Sequence, residues 1–297
     1  MFVMKCCNGA TVVHMSCSSW CGVPSAPRPV PCGVIVFLHV PKTGGTAVTQ
    51  FLQHHARGGS HGWWHATATP STPWESILAR LNGGSKRPRQ IIIHHVDAQW
   101  SFSDRAFQAS ILAPLECKMR SLGCQLVLTT LLRNASSRAS SAAFYNHVPH
   151  DQFMQWVSTH AQNGMINFLL HNRMRRVRRN ISLPVTSADL SQAGDLLKQF
   201  DAIGRTEEME QYLNYLGTLI RASTPTNETK PNRINRTPDK FKYELTAQEH
   251  SWTRSQTGLD ATLYKSFCKS AASTCPGASI SMGASRSRSV KRSERTC

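Results

Sequence analysis

The sequence predicts a single α/β domain, a parallel β-sheet flanked by helices. Three observations predict it. Apolar runs of strand length recur at residues 34–40, 90–94 and 125–132, with a shorter one at 201–204. Helix-forming stretches alternate with them, the order expected of a parallel sheet with helices on both faces. The first run passes directly into PKTGGT at 41–46, a tight turn between a strand and a helix.

The elements follow in order. Residues 1–31 read as a low-order leader. Strand 34–40 leads through the turn into a helix over 47–55. Residues 57–90 hold many Gly, Pro, Ser and Trp and read as a long loop around a short helix at 74–81. The β-branched run at 90–94 reads as a buried parallel strand, and 104–112 as a helix. Strand 125–132 runs straight into Arg133, and a Ser/Ala-rich helix continues to Tyr145. Phe153, Trp156, Val157, Met165, Phe168 and Leu169 stand near helical spacing and predict one helix over 153–170. A helix at 190–200 and a strand at 201–204 come next. Thr206 opens a helix whose first turn carries Glu207 and Glu208, favourable against the helix dipole. A last helical region covers 243–269. The domain is expected over 32–270, and residues 271–297, where Arg and Lys alternate with Ser, form a tail with little to bury. There is no internal repeat.

The 297 residues hold 34 Lys and Arg against 17 Asp and Glu, a net charge of +17. Such a field draws polyanions: nucleic acid, anionic membrane, nucleotide phosphates or sulfated sugars. Cys117 and Cys124, like Cys268 and Cys275, are spaced to close short loops, and both pairs are read as lumenal disulfides. The leader cysteines have no histidines at zinc-finger spacing. Four sequons, at Asn134, Asn180, Asn227 and Asn235, permit a secretory route. No stretch reaches the ~18–20 apolar residues of a membrane span, and the leader reads as a poor signal peptide.

The turn is built to hold an anion. Gly44 and Gly45 let backbone N–H groups approach a phosphate, the helix N-terminus adds its positive dipole end, and Lys42 adds a point charge. The lysine precedes both glycines, so this is not the nucleotide-triphosphate loop GxxxxGK[ST]. PKTGGT after an apolar strand resembles the 5′-phosphosulfate loop of sulfotransferases that use 3′-phosphoadenylyl sulfate (PAPS), and most resembles the Golgi enzymes that sulfate heparan sulfate. A second match is LLRNASSRASSAAFY at 131–145, a strand ending in Arg133 with Ser141 eight residues later. It resembles the family's 3′-phosphate element, in which a guanidinium fork and a hydroxyl clasp the phosphate. Asn134 and Ala135 stand where Asp-Pro is usual. Arg138 also matches the spacing and is read as a structural ion pair.

The resemblance implies a P-loop-like sulfotransferase fold, with Lys42, Thr43, Gly44, Gly45, Thr46, Arg133 and Ser141 as PAPS ligands. It implies no metal. The base is expected in QIIIHHVD at 90–97, where a strand delivers two histidines to an end at which ligands collect. His95 precedes Val, as in the glycan 2-O- and 6-O-sulfotransferases, and is assigned as base. His94 is second choice and a substrate contact. His39 is read as packing or lining. LHNRMRRV at 170–177 resembles an acceptor-binding segment of the 6-O enzymes and makes Arg173 and Arg176 glycan contacts. AIGRTEEM at 202–209 resembles a strand-to-helix junction that lies near the nucleotide.

The implied reaction moves a sulfuryl group from PAPS to a hydroxyl of an acidic glycan, with Lys42 neutralising the leaving nucleotide. Nucleic acid is not an expected partner. The family lives in the Golgi membrane on an N-terminal anchor, which is not evident in this sequence. The alternatives are a protein tyrosine sulfotransferase and a non-catalytic, basic polyanion-binding protein. A P-loop kinase is disfavoured because no acidic residue follows an apolar strand to hold magnesium.

Overall fold

Five strands form one parallel sheet in the order β2-β3-β1-β4-β5: β1 (Gly33–Leu38), β2 (Trp64–Ala68), β3 (Arg89–His94), β4 (Gln125–Leu132) and β5 (Ala202–Arg205). The computed structural model describes residues 30–57, 63–69, 71–83, 88–95, 101–171, 184–220 and 242–267. Most of the expected leader and all of the tail lie outside them. Val30 and Pro31 are held in place nonetheless: Val30 N donates to Leu219 O at 2.9 Å, and Arg89 Nε donates to Pro31 O at 2.9 Å.

Strand β1 is central and buried on both faces, which is why it reads as an unbroken apolar run. Its side chains alternate. Ile35 and Phe37 pack with Ile91 and Ile93 of β3 under α1 (Gly45–Arg57), through Val48, Phe51 and Leu52. Val34, Val36 and Leu38 face the other way with Ile92, into a larger core. That second face is covered by α2 (Trp74–Gly83), α4 (Ala113–Ser121), α7 (Gly164–His171), α8 (Ser187–Leu197) and α11 (Gly258–Phe267). Helix α9 (Met209–Leu219) lies beside α1 on the first face. Each fully buried Val, Ile, Leu or Phe contributes about 1.5–3 kcal/mol, so the two-sided sheet dominates the stability.

Several expectations need correction. The long loop 57–90 contains β2, whose half-buried WHATA lacks the signature of a core strand. The helix expected at 104–112 begins at α3 (Arg105–Phe107) and passes through a π-helical turn, Gln108–Leu112, into α4. Pro114 sits in that junction without an N–H to donate, and the wider turn accommodates it. The helix expected over 153–170 is broken into α6 (Phe153–Trp156), a π turn at Val157–Ala161, and α7. The break is at Asn163, buried with φ of 41°. Its Oδ1 accepts from Leu259 N and Asp260 N, both at 3.1 Å. Asp260 returns the contact, accepting from Met165 N and Ile166 N at 2.8 and 2.9 Å. Two helix N-termini thus cap each other. The region 243–269 is two helices, α10 (Ala247–Gln256) and α11, and the helix expected at 190–200 starts earlier, at Ser187, behind a Thr186/Asp189 capping box.

Cys124 does not pair with Cys117. It is disulfide-bonded to Cys32, and Cys117 is disulfide-bonded elsewhere. The cause is register: Gly33 lies opposite Gln125 across β1 and β4, so the residues just before them stand 5.0 Å apart at Cα. The expected Cys268–Cys275 pair lies outside the described residues.

Candidate functional site

Ligands of open α/β sheets collect at the carboxyl ends of the strands, where the chain order reverses. In this sheet that point lies between β1 and β4, and the PKTGGT turn and Arg133 leave these two neighbouring strands side by side. Arg133 Nη1 donates to the Lys42 carbonyl at 3.2 Å. The two anion-binding elements read from the sequence are therefore in direct contact.

The turn is held from below. Thr43 is fully buried, and its hydroxyl donates to Val40 O at 2.8 Å. The Thr206 hydroxyl, at the end of β5, lies between the carbonyls of Thr43 and Leu132, 3.0 Å from the latter. Lys42 adopts φ of 66° and Gly44 φ of 87°. A left-handed lysine is uncommon, and such strain gathers at ligand clamps. Gly44 fits this conformation as only glycine does. A Cβ on Gly45 would lie 1.9 Å from His39 Cδ2, so that glycine makes room for a ring. Thr46 is half-buried in the first turn of α1.

Helix α5 (Ala135–Tyr145) supplies the opposite wall. Asn134 caps it, Oδ1 accepting from Ser137 N at 3.2 Å. Glu207 accepts from Asn134 N at 3.0 Å and from the Tyr264 hydroxyl at 2.8 Å. Tyr145 is half-exposed, and its ring lies beneath the Lys42 ammonium, 3.2 Å from the ring centroid. Ser141 precedes Tyr145 by one helical turn on the same face. It is half-buried, with no hydrogen bond from its hydroxyl among the described residues. Arg138 points away from this wall. It is buried, donates to Ala161 O at 3.3 Å, and its charge opposes the burial that pushes the Asp260 carboxyl pKa up. The sequence predicts an ion pair for it; the hydrogen bond seen is to the Ala161 carbonyl, with the Asp260 charge nearby.

Two partly buried cations, Lys42 and Arg133, meet here. Burial, then the Arg133 charge, lowers the Lys42 pKa to about 8. Burial lowers that of Arg133, against the opposing pull of Glu207. A dianion between them would relieve both penalties.

The two histidines of β3 separate. His94 alternates onto the face of Ile92 and is 1% exposed, boxed by Trp74, Phe102 and Phe107. Its Nδ1 accepts from Trp74 Nε1 at 3.1 Å. A substrate contact there would require that aromatic box to open. His95 lies just past the strand, half-exposed, 5.3 Å from His39 between ring centroids. Lys42, Thr43, Gly44, Gly45, Thr46, His95 and Arg133 thus come together, with Ser141 on the facing helix. Arg173 and Arg176 lie outside the described residues. His39, read from the sequence as packing or lining, packs its ring on Phe37. The hold of the Thr206 hydroxyl on the carbonyls of Thr43 and Leu132 was not anticipated from the sequence. Among the described residues no group of three or more His, Cys, Asp or Glu is placed to hold a metal ion.

Compared with protein-family models and with curated proteins, the chain matches none.

Proposed function

We propose that this chain is a PAPS-dependent O-sulfotransferase acting on a hydroxyl of an acidic, heparan-sulfate-like glycan. The observation that carries the reading is the contact between Arg133 and the Lys42 turn, which lets one doubly phosphorylated nucleotide engage both. The residues fit such a ligand: two desolvated cations, the opening N–H groups of α1, and a serine hydroxyl on the facing helix.

In this reading the Lys42–Thr46 turn holds the 5′-phosphosulfate, and Arg133 and Ser141 hold the 3′-phosphate. The acceptor oxygen forms a bond to sulfur as the bond from sulfur to the bridging phosphate oxygen breaks, and the hydroxyl proton passes to His95. Lys42 neutralises the charge that develops on the leaving nucleotide, 3′-phosphoadenosine 5′-phosphate. A preorganised donor of this kind is worth about 10²–10³ in rate. The Cys32–Cys124 disulfide supports an oxidising compartment such as the Golgi lumen. No helix among the described residues is long and apolar enough to cross a membrane. Arg173 and Arg176 remain the proposed glycan contacts.

The test begins with binding. The purified chain should bind 3′-phosphoadenosine 5′-phosphate at least tenfold more tightly than adenosine 5′-phosphate, and Arg133→Ala should erase the difference. Equal affinities in the wild type would reject the 3′-phosphate site. Transfer of labelled sulfate from PAPS to desulfated glycans and to a tyrosine peptide then fixes the acceptor. Transfer to the peptide alone would move the assignment to protein tyrosine sulfation. Heparin binding with no nucleotide preference would leave a basic polyanion-binding protein.

A further inference from the structure

The end of β5 reaches both halves of the anion site through two consecutive residues, Thr206 and Glu207. Strands β4 and β5 keep parallel register as far as Leu132 beside Arg205. One step further the chain leaves β5 in a 3₁₀ turn, Thr206–Glu208, laid against the residues that follow β4. Arg205 Nε donates to Glu208 Oε2 at 2.8 Å across that turn. The sequence reads Glu207 and Glu208 alike, as partners of a helix dipole. In the structure they have different partners, and Glu207 turns to the strand that carries Arg133.

Thr206 and Glu207 hold the peptide groups on either side of Arg133. The Leu132 carbonyl, in the peptide group before the Arg133 Cα, accepts from the Thr206 hydroxyl at 3.0 Å. The Asn134 N–H, in the peptide group after it, donates to Glu207 Oε1 at 3.0 Å. Rotation of these two planar groups about the Cα is the φ and ψ of Arg133. The two bonds therefore fix the direction in which its side chain leaves the backbone. At the far end Arg133 Nη1 donates to the Lys42 carbonyl. The Thr206 hydroxyl also reaches the Thr43 carbonyl, so the lysine turn and the arginine share one support. The second oxygen of Glu207 accepts from the Tyr264 hydroxyl of α11 at 2.8 Å, which orients the carboxylate. A carboxylate beside a site for a dianion repels the ligand, so its presence is explained by what it holds.

We propose that Glu207 is a positioning residue for Arg133: by holding the Asn134 N–H, with Thr206 on the other side, it aims the guanidinium fork and sets the preference for a 3′-phosphorylated nucleotide. This rests on the reading of Arg133 as the 3′-phosphate ligand. Glu207 acts through Arg133 and not by contact with the nucleotide. A guanidinium grips phosphate through two parallel N–H bonds, and that geometry tolerates little misdirection.

Calorimetric titration of the full chain with 3′-phosphoadenosine 5′-phosphate and with adenosine 5′-phosphate tests this through the ratio of the two affinities. Glu207→Gln keeps an oxygen for the Asn134 N–H and removes the charge, and its ratio should match or exceed that of the wild type. Glu207→Asp keeps the charge but draws the oxygen back by one methylene. Its ratio should fall about fivefold, the scale of one hydrogen bond. Affinity for adenosine 5′-phosphate should stay within about twofold in both variants, because the Lys42 turn is held by Thr206. In an Arg133→Ala background Glu207→Asp should change neither affinity. A ratio lost in Glu207→Gln and kept in Glu207→Asp would make Glu207 a charge and not a support, and would overturn the proposal. An equal loss of both nucleotides in Glu207→Asp would overturn it too. Amide hydrogen exchange at Asn134, followed by NMR in the nucleotide-free chain, needs no ligand. It should be faster in Glu207→Asp and unchanged in Glu207→Gln. If that exchange pattern holds while the wild type binds both nucleotides equally, the sulfotransferase reading fails and the hold on Arg133 stands. If the wild type prefers the 3′-phosphate and Glu207→Asp keeps that preference, the positioning role fails alone.

Discussion

At the scale of single residues, Lys42 joins strain and charge in one position. Its φ of 66° is a left-handed conformation costing about 1–2 kcal/mol for a residue with a Cβ. Its ammonium, resting on the Tyr145 ring, has a pKa drawn down to about 8. The folded lysine therefore holds its proton less tightly than the unfolded one. The penalty is present in full below pH 8 and disappears as pH rises from 8 toward 10.5, so on this account the protein gains stability over that interval. An anion restores the charged form, so affinity for 3′-phosphoadenosine 5′-phosphate should fall as pH rises from 8 to 10. His39 has the same sign at lower pH, with stability lost as pH falls from 6.5 through 4. Lys42→Ala should weaken nucleotide binding by roughly 10–100-fold, the loss of one charge-assisted contact. Lys42→Gly should bind as poorly yet unfold at the same or a higher temperature, because glycine relieves the left-handed backbone. Calorimetric titration and thermal unfolding of both variants check this. A glycine variant clearly less stable than the alanine one would remove strain from the account.

At the scale of elements, the mutual capping of α7 and α11 fixes the helices behind the site. Asp260 is fully buried, satisfies two N–H groups of α7, and faces the charge of Arg138 from α5. Asp260→Ala would strand both buried donors, at about 1–3 kcal/mol each, to be read by urea denaturation. A loss below 1 kcal/mol would mean that the clasp contributes little. The same clasp shows why legibility was uneven. Strands β1, β3 and β4 could be read because burial on both faces leaves an apolar run. The half-buried β2 could not, since Trp64, His65 and Thr67 share no core pattern. The break at Asn163 depends on a helix almost a hundred residues further along, and no local signal announces it. The anion turn was legible because glycine spacing is local chemistry. The direct contact between that turn and Arg133 was not, because strand order exists only in three dimensions.

At the scale of the whole molecule, the Cys32–Cys124 disulfide ties the amino ends of the two strands whose carboxyl ends carry the site. It closes a loop with a sequence separation of 92. Unfolded chains lose more entropy the longer the closed loop, and bridges of this kind typically stabilise by about 2–4 kcal/mol. For a chain of this size that corresponds to a Tm shift of very roughly 5–15 °C. The double replacement Cys32→Ser/Cys124→Ser should show that drop, and it leaves Cys117 in its own disulfide, which a reducing agent would not. The bridge lies at the sheet end opposite the anion turn. Nucleotide affinity of the double variant, measured well below its melting temperature, should therefore stay within about twofold of wild type, as expected for distant, independent sites. A tenfold loss of affinity at a temperature where the variant is folded would mean that the spacing of β1 and β4, and with it the Lys42–Arg133 contact, is set by the covalent link and not by the side chains packed on both faces of the sheet.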